Sequence, residues 1–352
     1  MRSPFSSVLF VTVILVSSTF ASTTLSVNNT VFITGPLSGT WFDYVIVIMM
    51  ENHSINNTYD NGHHSCLGNC TYYTSLANSN GLAEEYTIGG AQNPSIGAYI
   101  AITSGYGNTP ADCNSFPPGD ARCPLLQIPS IVDRLENKGL SWKAYMEGYP
   151  DLPGCYNNDI GNPNNYHFNH NPFIYYANIQ NDATRCSHIV NANSQRVSQT
   201  GCGTTAIPND NLFINDLNSP STAPNYMFLT PNTIDDAHDC NDVSASNAWL
   251  NRLVPQILNS ALFKTKKAAL FITFDEKDCT FPGCPSPAIP ELYTVWASNS
   301  TNPTTMAGFK SVKPYTLYST LRTVEDNWNL QPLIASTDGS ANNMAEFLRA
   351  RS

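Results

Sequence analysis

Glu51 and Asn52 stand directly after the apolar run Tyr44-Val-Ile-Val-Ile-Met-Met50. A carboxylate and an amide oxygen are good ligands for a hard divalent cation such as Mg, Ca or Mn, with Zn open to a site that adds histidine. A second acidic pair, Asp275-Glu276, follows a second apolar run, Ala268-Ala-Leu-Phe-Ile-Thr-Phe274. Short continuous apolar runs of this kind read as fully buried strands of a parallel sheet. In open α/β sheets, ligands collect outside the carboxyl ends of such strands. On Glu51 and Asn52 alone, a polar strand end before an ordinary turn explains the residues as well. The second pair shifts the balance to one shared divalent-metal site.

Two further groups carry possible chemistry. Ser95 follows Pro94 and precedes a helical stretch that Gly105 ends. The commonest job of such a serine is to cap the helix. The alternative is a nucleophile, with backbone N–H groups and the helix dipole facing a phosphate. His238 lies between Asp236 and Asp239, and neighbouring carboxylates orient and charge an imidazole.

The elements that must hold these residues follow in order. Residues 71–81 read as a helix. Residues 129–139 form an amphipathic helix with Gly139 at its stop, and Ser141–Met146 follows as a strand. Strands are expected at Tyr226–Thr230, Ala268–Phe274 and Leu292–Ala297, with helices at Ala245–Ser260 and Thr316–Trp328. Alternation of this kind gives an α/β fold, a central mostly parallel sheet with helices on both faces. The stretch 150–210 is dense in Asn, Pro, Gly and Cys and is expected to form a loop-rich, disulfide-rich cap. No repeat or composition break marks a second domain within 44–352.

Composition places the chain. Asp and Glu number 27 against 17 Lys and Arg, a net charge of -10 that makes nucleic acid or an anionic membrane an unexpected partner. Met1-Arg2, the apolar stretch to Val16 and small residues up to Ala21 read as a signal peptide over 1–21, followed by an extended lead-in over 22–43. No later stretch has the roughly 20 apolar residues of a membrane span, so a secreted protein is expected. Ten cysteines suit that compartment and favour disulfides over zinc–thiolate. Close pairs such as Cys113 with Cys123 would clamp single loops, although connectivity is not readable from sequence. Sequons at Asn28, Asn56, Asn69 and Asn299 suggest glycosylated surface loops.

In this order the segments resemble the secreted phosphoesterases of the acid phosphatase and phospholipase C type, in the alkaline-phosphatase-like superfamily. The resemblance rests on Val45-Ile-Val-Ile-Met-Met-Glu-Asn-His-Ser54, Asn93-Pro-Ser-Ile-Gly-Ala-Tyr-Ile-Ala-Ile-Thr-Ser-Gly105 and Ile128-Pro-Ser-Ile-Val-Asp-Arg-Leu135. It continues in Asn169-His-Asn-Pro-Phe173, Pro224-Asn-Tyr-Met-Phe-Leu-Thr-Pro-Asn232, Asp236-Ala-His-Asp239, Phe274-Asp-Glu276 and Leu321-Arg-Thr-Val-Glu-Asp326. It implies Glu51, Asn52, Asp275 and Glu276 as metal ligands and Ser95 as a nucleophile that takes the phosphoryl group. It implies His170 and His238 as phosphate-facing catalytic histidines, with Asp236 and Asp239 as supporting carboxylates.

Four positions depart from the family's usual pattern. Asn93 stands where a His often precedes the Pro-Ser turn, and Gly97-Ala98 where Pro-Asn often follows it. Leu317 replaces a His ahead of the last helix, and Lys277 follows the acidic pair. Lys277 either supplies positive charge beside the phosphate or solvates a loop. The resemblance thus implies an acid-phosphatase-like hydrolysis of small phosphate esters. A phospholipid diester cleaved in the manner of phospholipase C is the alternative within the enzyme class. A non-catalytic cell-surface binding protein on the same scaffold is the alternative outside it.

Overall fold

The computed structural model describes residues 38–62, 64, 66–91, 94–150, 154–158, 165–194, 199, 201–202, 209–240, 242–277 and 290–349. The expected signal peptide, most of the lead-in, and Asn93, Cys279 and Cys284 lie outside the described residues.

Ten strands occur among the described residues: β1 Tyr44–Met50, β2 Gly81–Ala83, β3 Tyr86–Thr87, β4 Trp142–Met146, β5 Ile189–Asn191, β6 Tyr226–Thr230, β7 Ala268–Phe274, β8 Thr294–Ala297, β9 Lys310–Ser311 and β10 Tyr315–Thr316. Eight of them form one sheet in the order β5-β4-β6-β1-β7-β8-β2-β9, while β3 and β10 pair separately. The run from β5 to β7 is parallel throughout. Only β8 runs against both of its neighbours in that sheet.

The two apolar runs sit where their composition requires. Every residue of β1 and of β7 is buried, which is why neither shows the polar alternation of a half-exposed strand. They lie side by side with Met50 opposite Phe274. Asp275 N–H donates to the Met50 carbonyl at 2.9 Å, so the two acidic strand ends emerge together. Helices Thr71–Ser79, Ile96–Ser104, Ile131–Asn137, Ser244–Leu258 and Leu317–Trp328 accompany the sheet, each within two residues or so of its expected span.

The 150–210 stretch is more than a cap. It contributes β5, which extends the sheet beside β4, and it carries two short 3-10 turns and two single-turn helices. A three-residue strand is too short to show periodicity, which is why it was not expected. Among the described residues four disulfides join Cys66 to Cys70, Cys113 to Cys123, Cys155 to Cys186 and Cys202 to Cys240. The last one ties this stretch to the loop after β6.

Asn299 corrects one expectation. It is buried, its amide donates to the Leu258 carbonyl at 2.6 Å, and its Oδ1 accepts the N–H groups of Thr301 and Asn302. It is a loop clamp, and no exposed glycan acceptor stands there.

A buried acidic pair supports the helix that carries Ser95. Gly105 ends that helix at φ 72°, and a Cβ there would stand 2.0 Å from Asp338 Oδ1. Asp338 accepts the N–H groups of Leu333 and Ile334 at 2.7 and 3.0 Å, and Glu325 shares the Leu333 N–H at 3.0 Å. Burial, and then the charge of Asp338, pushes the Glu325 carboxyl up to about 9. The folded chain therefore holds a proton that the unfolded chain releases near 4.5. Its stabilisation is complete below that value and is lost as pH rises toward about 9. Thermal melts should show Tm falling across this window, and Glu325→Gln should flatten the fall. An unchanged slope in the variant would show that Glu325 does not hold the proton.

Candidate active site

Glu51 leaves β1 fully buried, and Asp275 and Glu276 leave β7 buried. The backbone is turned sharply here. Asn52 takes φ 60°, a left-handed conformation that Asn tolerates better than most residues, and its N–H donates to Asp275 Oδ1 at 2.9 Å. The Glu276 N–H donates to the same oxygen at 2.6 Å. These bonds fix one Asp275 oxygen and leave Oδ2 buried with no donor.

Ser95 occupies the residue before the helix Ile96–Ser104, yet its hydroxyl makes no capping bond to that helix. It donates to Glu51 Oε2 at 3.0 Å and lies 3.3 Å from Glu276 Oε1. The N–H groups of Gly97 and Ala98 are taken by the Pro94 and Ser95 carbonyls at 2.9 Å each. An open row of helix N–H donors, one expectation for a phosphate cradle, is therefore not what this turn offers.

The loop after β6 brings the remaining groups. Glu51 N–H donates to the Asp236 carbonyl at 2.9 Å, tying that loop to the end of β1. Ala237 follows at φ 85°, a conformation in which a non-glycine residue is strained, and strain of this kind is found where surrounding structure fixes a functional turn. It presents His238, whose Nδ1 pairs with Asp239 Oδ1 at 2.8 Å while Asp239 also accepts from Thr233. His170 arrives on the 3-10 turn Phe168–His170. Its Nε2 lies 3.4 Å from Glu51 Oε1 and its Nδ1 lies 3.2 Å from Asp236 Oδ2, neither with good hydrogen-bond direction.

Electrostatics follow from this crowding. Burial, then the charges of Asp275 and Asp236, pushes the Glu51 carboxyl well up. Burial likewise raises Asp236 and Asp275 against the hydrogen bonds they accept. His170 is driven well below the usual imidazole range by burial and then by His238 and His167. His238 goes the other way, up to about 9, chiefly through its bond to Asp239. Burial opposes ionisation of Asp239, but the bonds from His238 and Thr233 outweigh it and hold its carboxyl low.

The donor set fits a cation. Glu51 Oε1, Asp236 Oδ2 and Asp275 Oδ2 are all buried without a hydrogen-bond donor, an arrangement that like charges make costly unless positive charge balances it. One ligand atom each of Glu51, His170 and His238 also lie within 4.8 Å of one another, close enough for one ion. Glu51 is common to both groups.

The structure thus gathers Glu51, Ser95, His170, Asp236, His238, Asp275 and Glu276, with the Asn52 backbone among them. Asp239 sits behind His238. Lys277 is half-buried beside the acidic pair, and its described surroundings give it no role. Two neighbours were missed in the sequence. His167 stacks on His170 with ring centres 5.2 Å apart, and Tyr99 lies parallel to His170 at 5.7 Å. The His-x-x-His spacing of 167 and 170 was the available signal for the first. Tyr99 follows Ser95 by four residues, one helical turn.

Comparison with known proteins places the chain in a family. A model of the phosphoesterase family matches residues 67–331, a span that includes Ser95, His170, His238 and the acidic pair after β7 but begins after Glu51. An acid phosphatase of Aspergillus niger is 30% identical over 243 residues, 66% of this chain and 51% of that protein. A phosphate-repressible acid phosphatase of Penicillium chrysogenum is 30% identical over 224 residues, 62% of this chain and 47% of that protein. The chain spans about half the length of these relatives. A protein in the alkaline phosphatase superfamily from Vibrio parahaemolyticus shares the fold, with a TM-score of 0.54 at 11% identity over 86% of this chain and 70% of that one. With the family model covering most of the sequence, this chain belongs to the phosphoesterase family.

Proposed function

We propose that the chain hydrolyses small phosphate esters, phosphomonoesters first, through a phosphoserine formed on Ser95. The observation that carries this reading is the Ser95 hydroxyl, which makes no capping bond to its helix and turns to Glu51 and Glu276 where β1 and β7 end. Glu51, Asp236 and Asp275, with Glu276 and Asn52 beside them, would hold a divalent ion, which when bound supplies positive charge to the phosphoryl oxygens and makes the serine more acidic.

The residues then divide the work. Ser95 Oγ gives up its proton to the carboxylates beside it and forms the bond to phosphorus as the ester oxygen departs. His238, charged through Asp239, and the neutral His170 face the phosphate, and His238 protonates the departing oxygen. Water then attacks phosphorus, the bond to Ser95 Oγ breaks, and inorganic phosphate leaves. The disulfides suit an oxidising compartment, so we place the enzyme outside the cytoplasm.

The test is turnover of p-nitrophenyl phosphate and of its bis-ester by the purified protein, with and without EDTA. EDTA-sensitive release of nitrophenol from the monoester is the expected result. Preference for the bis-ester would move the assignment to a phosphodiesterase of the phospholipase C kind. No turnover with any divalent ion supplied would remove the catalytic reading.

A further inference from the structure

Ser95 and His170 come from segments 75 positions apart, and their relative placement needs a mechanical cause. Asn114 sits between them, on a 3-10 turn at Ala111–Asn114. Its Oδ1 accepts the Asn169 amide N–H at 2.8 Å, one residue before His170. The same oxygen accepts the Ile96 N–H, one residue after Ser95, at a longer 3.4 Å. One carbonyl oxygen thus touches the immediate neighbours of the nucleophile and of the buried histidine.

The turn that holds Asn114 is itself anchored. Cys113 is fully buried and bonded to Cys123, closing a short loop. The Cys113 carbonyl accepts the Tyr175 hydroxyl at 2.9 Å, a second tie to the segment that carries His170. Asn169 is buried, and its own Oδ1 finds no donor, so its amide is oriented chiefly by the bond to Asn114. A loosely held turn could not fix two partners at once. A turn stapled by a disulfide can.

We infer that Asn114 is a positioning residue, setting the distance and angle between the Ser95 hydroxyl and the His170 ring through Ile96 and Asn169. Its side-chain bonds go to Ile96 and Asn169 and none goes to the acidic cluster. Its effect therefore falls on the alignment of the reacting groups, which governs the chemical step more than initial binding. This role rests on the Ser95 chemistry proposed above.

The experiment compares wild type, Asn114→Ala, Asn114→Asp and Ser95→Ala on p-nitrophenyl phosphate, with Tm measured for each. Asn114→Ala should lower kcat by about 10- to 100-fold with KM within about twofold of wild type, at a Tm close to wild type. Asn114→Asp keeps the accepting oxygen and should recover most of kcat, its added charge appearing as a higher KM. Equal kcat losses in the two Asn114 variants, a kcat within twofold of wild type in Asn114→Ala, or a loss carried by KM would each overturn the role. Ser95→Ala separates the two claims. If it stays active, the phosphoserine reading fails and the Asn114 role with it. If it is dead while Asn114→Ala is normal, only the Asn114 role fails.

Discussion

Replacing Ser95 with alanine should lower kcat for p-nitrophenyl phosphate on the order of 10⁴-fold, the scale seen when a nucleophile is removed from a group of residues that act together. The hydroxyl has no structural bond to lose at its helix end, since it makes no capping contact there. Its partners are Glu51 at 3.0 Å and Glu276 at 3.3 Å, both buried acids. A serine whose job was to stabilise the helix would lower Tm on removal and leave turnover alone. Here Tm in the presence of metal should stay within a few degrees of wild type while turnover disappears. Mass spectrometry of rapidly acid-quenched wild type should also show one added phosphate on the peptide containing Ser95. A variant that keeps a tenth of its activity would end the covalent mechanism.

Glu51→Gln should produce the second large effect, with opposite signs in two conditions. Without metal, Glu51 is packed against Asp236 and Asp275, and burial plus their charge raises its carboxyl well above the usual range. Removing one member of a set of like charges relieves that cost, so the variant in EDTA should melt several degrees above wild type in EDTA. Adding a divalent ion should reverse the order. An ion at a thousand times its Kd stabilises the wild type by roughly 4 kcal/mol through mass action alone, whereas the variant has lost a shared ligand and should respond weakly. Scanning calorimetry with Mg, Ca, Mn and Zn in turn would identify the ion as well. If both proteins gained the same Tm on metal addition, Glu51 would not be a ligand. His170→Ala in the same titration tells the two overlapping donor groups apart, because only a site built on Glu51, His170 and His238 should lose the ion with it.

How much of this the sequence carried depended on the kind of signal. β1 and β7 were legible because strands buried on both faces are apolar at every position, and their seven-residue lengths left no ambiguity. Their acidic ends followed from the rule that α/β sites lie beyond strand carboxyl ends. The last helix, Leu317–Trp328, showed itself through a strongly one-sided apolar pattern. The two- and three-residue strands β2, β3, β5, β9 and β10 left no trace, since a pattern of period two needs more residues to appear. Asn114 and Tyr99 were invisible for another reason. Their significance lies in what they touch, and a lone Asn in a turn or a Tyr in a buried helix looks ordinary in one dimension. Asn52 was read for its side-chain oxygen, whereas the contact the structure gives it is a backbone N–H to Asp275.

The position of β1 also sets the order in which the molecule can be made. It is the first strand among the described residues, yet in the sheet it lies between β6 and β7, and Asn52 is bonded to a residue 223 positions later. During synthesis at about 5–20 residues per second, β1 waits roughly 10–45 s before β7 is available to pair with it. Until β6 emerges, late in that wait, the seven-residue apolar strand has neither neighbour, and the edge that β7 will cover stays open to other chains to the end of it. The acidic cluster cannot exist until the wait ends. Nascent chains should consequently depend on a holding chaperone, and fragments ending before residue 268 should aggregate with no trace of metal affinity.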